Sequence, residues 1–196
     1  MPINYPVNIT FKKIALTSKI TVSDSTGVII GYAHQKMLKL KEQILLFTDT
    51  SKTQPMGQIR ADRVIDFSPL LTYYDSTEQK VFAVKRHGKK SIWKADYDIL
   101  ASNDVPVYKV REDNAWIKVM NSLFSSIPLL GILAGYVFNP TYNVTNMQGV
   151  QVAQIVKQPA FLESSYVLNL LVATDPYVSF LPLACTAVLT RERLRG

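Results

Sequence analysis

The residues best suited to chemistry are a run of cations between two strand-like segments, Lys85-Arg86-His87-Gly88-Lys89-Lys90. At a hairpin tip this run would gather four permanent positive charges, on Lys85, Arg86, Lys89 and Lys90. Such a cluster attracts phosphate groups, with about 1 kcal/mol per charge near an anionic membrane. A solvated turn that keeps strand edges from aggregating is the competing interpretation.

The chain as a whole is basic. Its 196 residues carry a formal net charge of +7, which favours anionic partners, although solubility alone explains the same charge. A second basic stretch, with Lys36, Lys39 and Lys41, leaves the same two interpretations open. We expect an anionic membrane surface or a phosphoinositide-like lipid as partner rather than nucleic acid.

Residue types that support catalysis are few. The chain has His34, His87 and one cysteine, Cys185, whereas a zinc site needs three or four ligands, usually in close pairs. No glycine-rich phosphate loop and no nucleophile elbow occur. The sequence therefore predicts no catalytic residues, no metal and no cofactor. An enzyme with an unrecognised site remains an alternative.

Cys185 and the N-terminal residues bear on the compartment. Cys185 lies in an apolar stretch, which predicts a core residue, and one cysteine permits no intramolecular disulfide. Residues 1–11 lack the apolar run of a signal peptide. We expect a cytoplasmic protein, with peripheral membrane contact as the open alternative.

The elements that must position these residues are short strands. From Lys19 to Arg111, short segments rich in β-formers alternate with turn sequences, which predicts an antiparallel sandwich or barrel. One turn recurs at Asp24–Gly27 and Asn146–Gly149, with a looser copy around Asn103-Asp104. Internal duplication and convergent turn chemistry both explain the recurrence.

An apolar insertion at about 113–140 interrupts the strands. Trp116, Met120, Leu123 and Ile127 recur at helical spacing, yet the apolar run is too short for a membrane span. A buried cap over one barrel end, a membrane-dipping hairpin and a surface for self-association or a protein partner are the three alternatives.

The C-terminal residues, about 175–194, predict a helix that begins at Asp175 as N-cap, with Pro176 in the first helical position. Its apolar residues cover every face, so it must be buried on all sides or lie in lipid. The fourteen residues from Pro176 to Leu189 are too few for a bilayer, which needs roughly 20. The helix is therefore predicted to run through the middle of the protein. Pro182 fits only if the helix kinks or begins later.

This order of parts resembles the tubby C-terminal-like superfamily, in particular its LURP-one-related and bacterial members, and also phospholipid scramblases. The resemblance rests on the repeated turns, the strand Lys109-Val110-Arg111, the stretch from Ile155 to Leu162 and the terminal Asp175-Pro176 helix. It implies one domain over residues 1–196, a closed antiparallel barrel of about twelve strands around a central hydrophobic helix.

The expected function is a non-catalytic binding or structural module that engages anionic lipid or phosphate groups. A scramblase-like, membrane-associated lipid-handling protein is the alternative that the resemblance implies. A fold accommodates many functions, so this choice depends on the site.

Overall fold

The computed structural model describes residues 3–14, 17–36, 43–65, 68–87, 95–113, 140–160 and 163–193. The strands are β1 (Val7–Ile14), β2 (Thr17–Ser23), β3 (Ile29–Lys36), β4 (Ile44–Phe47), β5 (Pro55–Ile65), β6 (Ser68–Asp75), β7 (Lys80–Arg86), β8 (Asp96–Ala101), β9 (Pro106–Glu112), β10 (Thr141–Asn146), β11 (Gln151–Gln158) and β12 (Glu163–Leu170). One helix follows, α1 (Leu181–Arg193). The predicted helical insertion falls on residues 114–139, which lie outside the described residues, as do Lys39, Lys41, Lys89 and Lys90.

Each strand pairs antiparallel with its neighbours in sequence, and β1 also pairs with β12, so the sheet closes into a barrel. Ile9 shows the closure, because it lies opposite Val22 of β2 on one side and Tyr166 of β12 on the other. Closure leaves no exposed strand edge. The predicted closed antiparallel barrel with a C-terminal helix is confirmed.

The interior of the barrel is filled by α1. A barrel of about eight strands is just wide enough for its own side chains to fill, so one of twelve needs additional material inside. Every residue from Leu181 to Thr190 is buried. Two of these are polar: the hydroxyls of Thr186 and Thr190 donate to the carbonyl oxygens of Pro182 and Thr186, at 2.8 and 2.7 Å. These bonds satisfy the hydroxyls within the helix, so the surrounding strands need only apolar contacts there.

Close packing of α1 against β3 depends on a glycine. A Cβ atom built on Gly31 would lie 3.0 Å from Cδ2 of Leu183. The absence of that atom lets the leucine side chain approach the strand backbone. Cys185, on the same helix, is fully buried, and burial raises the pKa of its thiol far above the usual value.

The helix begins later than the sequence predicted. It starts at Leu181 and not at Asp175, and the first helical hydrogen bond joins the Ala184 N–H to the Phe180 carbonyl. Pro182 explains the shift, because in the first turn its missing N–H has no helical acceptor to lose. Asp175 caps a preceding turn instead, accepting from the Tyr177 N–H at 3.1 Å.

Five hairpins end in the same turn, in which the fourth residue donates its N–H to the carbonyl of the first. The fourth residues have positive φ: Gly27 (85°), Lys52 (60°), Glu78 (61°), Asp104 (65°) and Gly149 (82°). This geometry is a type I turn followed by a left-handed residue. The sequence revealed only the copies at 24–27, 146–149 and 103–104, because the other two place a lysine and a glutamate where glycine would mark the turn.

The Asx residue that opens the turn stabilises it. The Asp24 carboxylate accepts hydrogen bonds from the N–H groups of Thr26 and Val28, at 2.9 and 3.0 Å. The Thr26 hydroxyl also donates to it, and these bonds together lower the pKa of Asp24 to about 2. Asn146 repeats the two backbone contacts, with Gln148 and Val150 as donors.

The five turns share one end of the barrel, which we call the turn end, because they join successive pairs of up and down strands. At the opposite end β1, β3, β5, β7, β9 and β11 finish, and the last turn of α1 lies beside them, with Arg191 and Arg193. We call this the basic end, for the cations described below.

The central helix gives a stability test. Leu189 is fully buried and Leu171 is 56% exposed. We expect Leu189→Asp to abolish cooperative unfolding, since an unpaired buried carboxylate costs several kcal/mol. Leu171→Asp should change the free energy of unfolding by less than about 0.5 kcal/mol. Thermal melts followed by circular dichroism compare the two. A cooperative melt for Leu189→Asp near the wild-type temperature would contradict the central position of α1.

The repeated turn gives a second test. A Cβ atom at Gly149 meets nothing within 4 Å, so Gly149→Ala tests backbone conformation alone. Left-handed backbone costs a non-glycine residue about 1–2 kcal/mol, and we expect a loss of that size in denaturant titrations. Lys52→Ala is the matched control at the same turn position and should be nearly neutral. Equal losses in both variants would mean that the loss at Gly149 does not come from its left-handed backbone conformation.

Candidate functional site

The wall of the barrel changes from apolar to polar at the basic end. Inward-facing positions on β7 to β12 carry apolar residues along most of their length and end in polar ones. These end residues are Arg86, Tyr97, Glu112, Tyr142, Lys157 and Tyr166, and they surround Glu192 and Arg193 of α1. We call these eight residues the basic-end cluster.

Glu192 occupies one side of the cluster. Its Oε1 accepts a hydrogen bond from the Tyr97 hydroxyl at 2.6 Å and lies 3.8 Å from Nε of Arg86. The Arg86 guanidinium also lies over the Tyr97 ring, 5.9 Å from its centroid. The side chains of Arg86 and Glu192 are each only 9% exposed. Loss of either charge would leave the other buried with poorer compensation, which costs far more than a surface ion pair contributes.

Glu112 adds a second buried carboxylate. The side chain is fully buried, and its Oε2 accepts from the N–H of Ala95 at 3.3 Å. The backbone of Glu112 also donates to the Ala95 carbonyl, at 3.2 Å. This pair of bonds holds the start of β8 beside the end of β9.

Lys157 and Arg193 occupy the other side. The Arg193 guanidinium lies 4.7 Å from the centroid of the Phe11 ring, and that ring makes an edge contact with Tyr166 at 5.9 Å. Lys157 lies directly opposite Tyr166 in the β11–β12 register. Burial, and then the charge of Arg193, lower the pKa of Lys157.

The tyrosines of the cluster are neutral donors. Burial is the main reason that the pKa values of Tyr97, Tyr142 and Tyr166 are raised. The Glu192 carboxylate raises the pKa of Tyr97 further, and Arg193 works in the opposite direction at Tyr166. The cluster therefore offers phenol hydroxyls, guanidinium groups and one amine to a ligand with acceptor oxygens.

Charge differs strongly between the two ends. The repeated turns carry Asp24, Asp49, Asp75, Glu78 and Asp104. Two nearby cations are paired with these acids, Arg60 with Glu78 and Lys80 with Asp104, both at 2.5 Å. The basic end has Lys12, Lys19, Lys36, Lys85, Arg111, Lys157, Arg191 and Arg193 on its described strands and helix.

The structure separates the residues predicted as an anion-binding tip. Lys85 is half-buried on the outer face of β7, opposite Asp98. Arg86 is 8% exposed and points into the barrel, so the expectation of an exposed position is wrong for this residue. The reason is strand parity, because Arg86 follows the inward-facing Val84 by two positions. The part of the prediction that concerns Lys89 and Lys90 stays a prediction.

Sequence analysis missed most of the cluster. The usable signal was a polar residue two positions after a buried β-branched one, at the end of a strand: Val84-x-Arg86, Val110-x-Glu112 and Ile155-x-Lys157. Each residue alone is typical of a strand that reaches solvent. Only closure of the barrel brings these strand ends around one helix end.

Comparison of the sequence with protein-family models and with curated proteins gives no match. Among solved structures, the chain is similar to an X-ray structure of a protein from Arabidopsis thaliana, with a TM-score of 0.50 and 16% sequence identity. The match covers 97% of this chain and 93% of that chain. At this identity the likeness shows the fold alone, over nearly the whole chain. In the described residues no helix is long and apolar enough to cross a membrane.

The buried phenols predict loss of stability at alkaline pH. Six described tyrosines have a raised pKa: Tyr5, Tyr73, Tyr97, Tyr108, Tyr142 and Tyr166. The folded state keeps these protons above pH 10, whereas the unfolded chain releases them at its ordinary pKa of about 10. Stability is therefore complete below about pH 10 and falls above it, by about 1.4 kcal/mol per pH unit for each such tyrosine.

Ultraviolet absorbance of phenolate, followed together with near-ultraviolet circular dichroism, checks this expectation. We expect the six phenols to ionise in one step that coincides with unfolding. In denaturant all phenols should titrate near pH 10. Gradual ionisation of every tyrosine in the folded protein would contradict burial of the cluster.

Proposed function

We propose that this protein is a non-catalytic binding module that holds anionic groups, either phosphates or the headgroups of acidic lipids, at the basic end of its barrel. The observation that carries the proposal is the uneven distribution of charge. At the turn end, Arg60 and Lys80 are paired with acids. At the basic end, the described strands and helix carry more cations than acids, with Arg86 paired with Glu192 and Arg111 with Asp96.

The outer surface of the basic end also favours an anionic partner. Lys12 of β1 and Lys19 of β2 lie directly opposite each other in the strand register, and His34 of β3 lies opposite Lys19. On its other side Lys12 lies opposite Glu163 of β12, which offsets part of the charge of this row. Like charges directly across a strand pair are destabilising in an isolated protein. A negatively charged surface relieves the repulsion, so such a row is expected where the protein meets one.

The tubby C-terminal-like class is the family that we propose for the chain. Twelve antiparallel strands closed around one terminal apolar helix match the order of parts that the sequence resemblance implied. Within that class, a binding module agrees with the described site better than an enzyme does. The cluster has no arrangement of nucleophile and base among its described residues, and its carboxylates are engaged with Arg86, Tyr97 and Ala95.

Sedimentation with vesicles tests the proposal. We expect binding to vesicles that contain acidic lipid and none to neutral vesicles, with weaker binding as salt rises. The triple variant of Lys85, Lys89 and Lys90 to Gln removes three of the four charges that the sequence predicts to form an anion-binding tip. At about 1 kcal/mol per charge, its affinity should fall on the order of a hundredfold. Arg86 is left unchanged because its side chain is buried.

The matched control removes three charges from elsewhere on the barrel, Lys52, Lys80 and Lys109 to Gln. This variant should bind nearly as wild type does, because its lysines lie at the turn end or midway along β9. Equal losses in the two variants would mean that net charge, and not the basic end, determines binding. If the first variant binds vesicles as strongly as wild type does, Lys85, Lys89 and Lys90 take no part in binding.

A further inference from the structure

One cation of the basic-end cluster lies on the inner wall of the barrel and a second lies at the end of α1. Lys157 continues the inward-facing series of Ala153 and Ile155 on β11. Arg193 is at the end of α1 and lies over Phe11 of β1. Among the described residues, neither cation forms an ion pair with a carboxylate.

Tyr166 links the two cations in space. Its ring contacts Phe11, beneath Arg193, and its backbone pairs with Lys157. The charge of Arg193 opposes the rise that burial causes in the pKa of Tyr166. The phenol oxygen can accept from Arg193 and still donate its own proton. An amine, a guanidinium and a hydroxyl donor therefore border the same space.

The acids of the cluster form their hydrogen bonds elsewhere, and the charge of Glu192 reaches Tyr166 only as a minor cause of its raised pKa. Glu192 turns toward the opposite side, where its Oε1 holds the Tyr97 hydroxyl near Arg86. Glu112 is held against Ala95. The mutual repulsion of Lys157 and Arg193 is therefore balanced only in part, which agrees with the lowered pKa of Lys157. An anion placed between them would favour the charged form of both.

We propose that Lys157, Arg193 and the Tyr166 hydroxyl form a subsite for a phosphate group inside the basic end of the barrel. The inference rests on the proposed function and deepens it. Two cations match the charge of a phosphate monoester, a guanidinium contacts two of its oxygens at once, and an ammonium acts as a point charge beside it. A soluble phosphate and a lipid headgroup share this chemistry.

Calorimetric titration with inorganic phosphate tests the subsite. We expect Lys157→Met and Arg193→Gln each to weaken phosphate binding about tenfold or more, as expected for loss of a charged hydrogen-bonding partner. Lys157→Met keeps the apolar stem of the side chain, and Arg193 is at the end of α1, so both variants should keep a cooperative melt. Lys52→Gln is the control, because it removes one charge from an exposed turn at the opposite end of the barrel. Its phosphate affinity should equal that of wild type.

Proton uptake gives a second readout that depends on Lys157 itself. At alkaline pH the free protein holds part of Lys157 uncharged, because its pKa is lowered. Bound phosphate should restore the charge, so titrations in buffers of different ionisation enthalpy should show protons taken up. Lys157→Met should lose this uptake, and Lys52→Gln should keep it.

Vesicles of phosphatidylcholine, with and without phosphatidic acid, show whether the phosphate belongs to a lipid headgroup or to a soluble ligand. They also distinguish failure of the subsite from failure of the proposed function. If Lys157→Met loses binding to phosphatidic acid as well as to inorganic phosphate, a lipid headgroup enters the subsite. If it loses only inorganic phosphate, the ligand is a soluble phosphate. If the wild-type protein binds vesicles but no inorganic phosphate, the subsite is overturned and the proposed function stands. The same follows if it binds vesicles while Lys157→Met and Arg193→Gln bind phosphate as strongly as wild type does. If the wild-type protein binds neither inorganic phosphate nor vesicles with phosphatidic acid, both the subsite and the proposed function are overturned.

Discussion

The space inside a twelve-stranded barrel has to be filled, and the rest of this structure depends on how that is done. Strand side chains alone fill a barrel of about eight strands. Here a single helix, buried from Leu181 to Thr190, occupies the middle. Its apolar surface on every side, the glycine that admits Leu183 and the internally bonded threonines are requirements of that position. A helix with one polar stripe would leave unsatisfied groups against the wall.

A helix inside a closed barrel also brings its end close to the wall. The last turn of α1 carries Glu192 and Arg193, which are too polar for an apolar lining. The strand ends around them are accordingly polar, with Arg86 and Tyr97 facing Glu192 and with Tyr166 beside Arg193. The same constraint therefore creates both the apolar core and the charged cluster.

Sequence reasoning recovered what local chemistry encodes. Asp24 and Gly27 mark a turn by side-chain bonding and positive φ, and an all-apolar segment after many short strands marks a central helix. It failed where contacts between residues distant in sequence determine the environment of a side chain. Lys52 accepts a left-handed backbone without any local sign of it. Arg86 points inward by strand parity, but the carboxylate that compensates its charge, on Glu192, is more than a hundred positions away. The basic-end cluster belongs to this second kind, since six strand ends and one helix end compose it.

The pairing of β1 with β12 bears on how the chain folds. Val7 lies opposite Leu168, so closure joins residues separated by most of the sequence, and α1 follows both strands. Contacts between such distant residues slow folding, because loop-closure entropy is lost before they form. Until α1 enters, the strands expose the inner face that it covers, which favours aggregation of partly folded chains. Closure and filling are therefore expected to occur in one concerted step, with few stable states in which only one of them is complete.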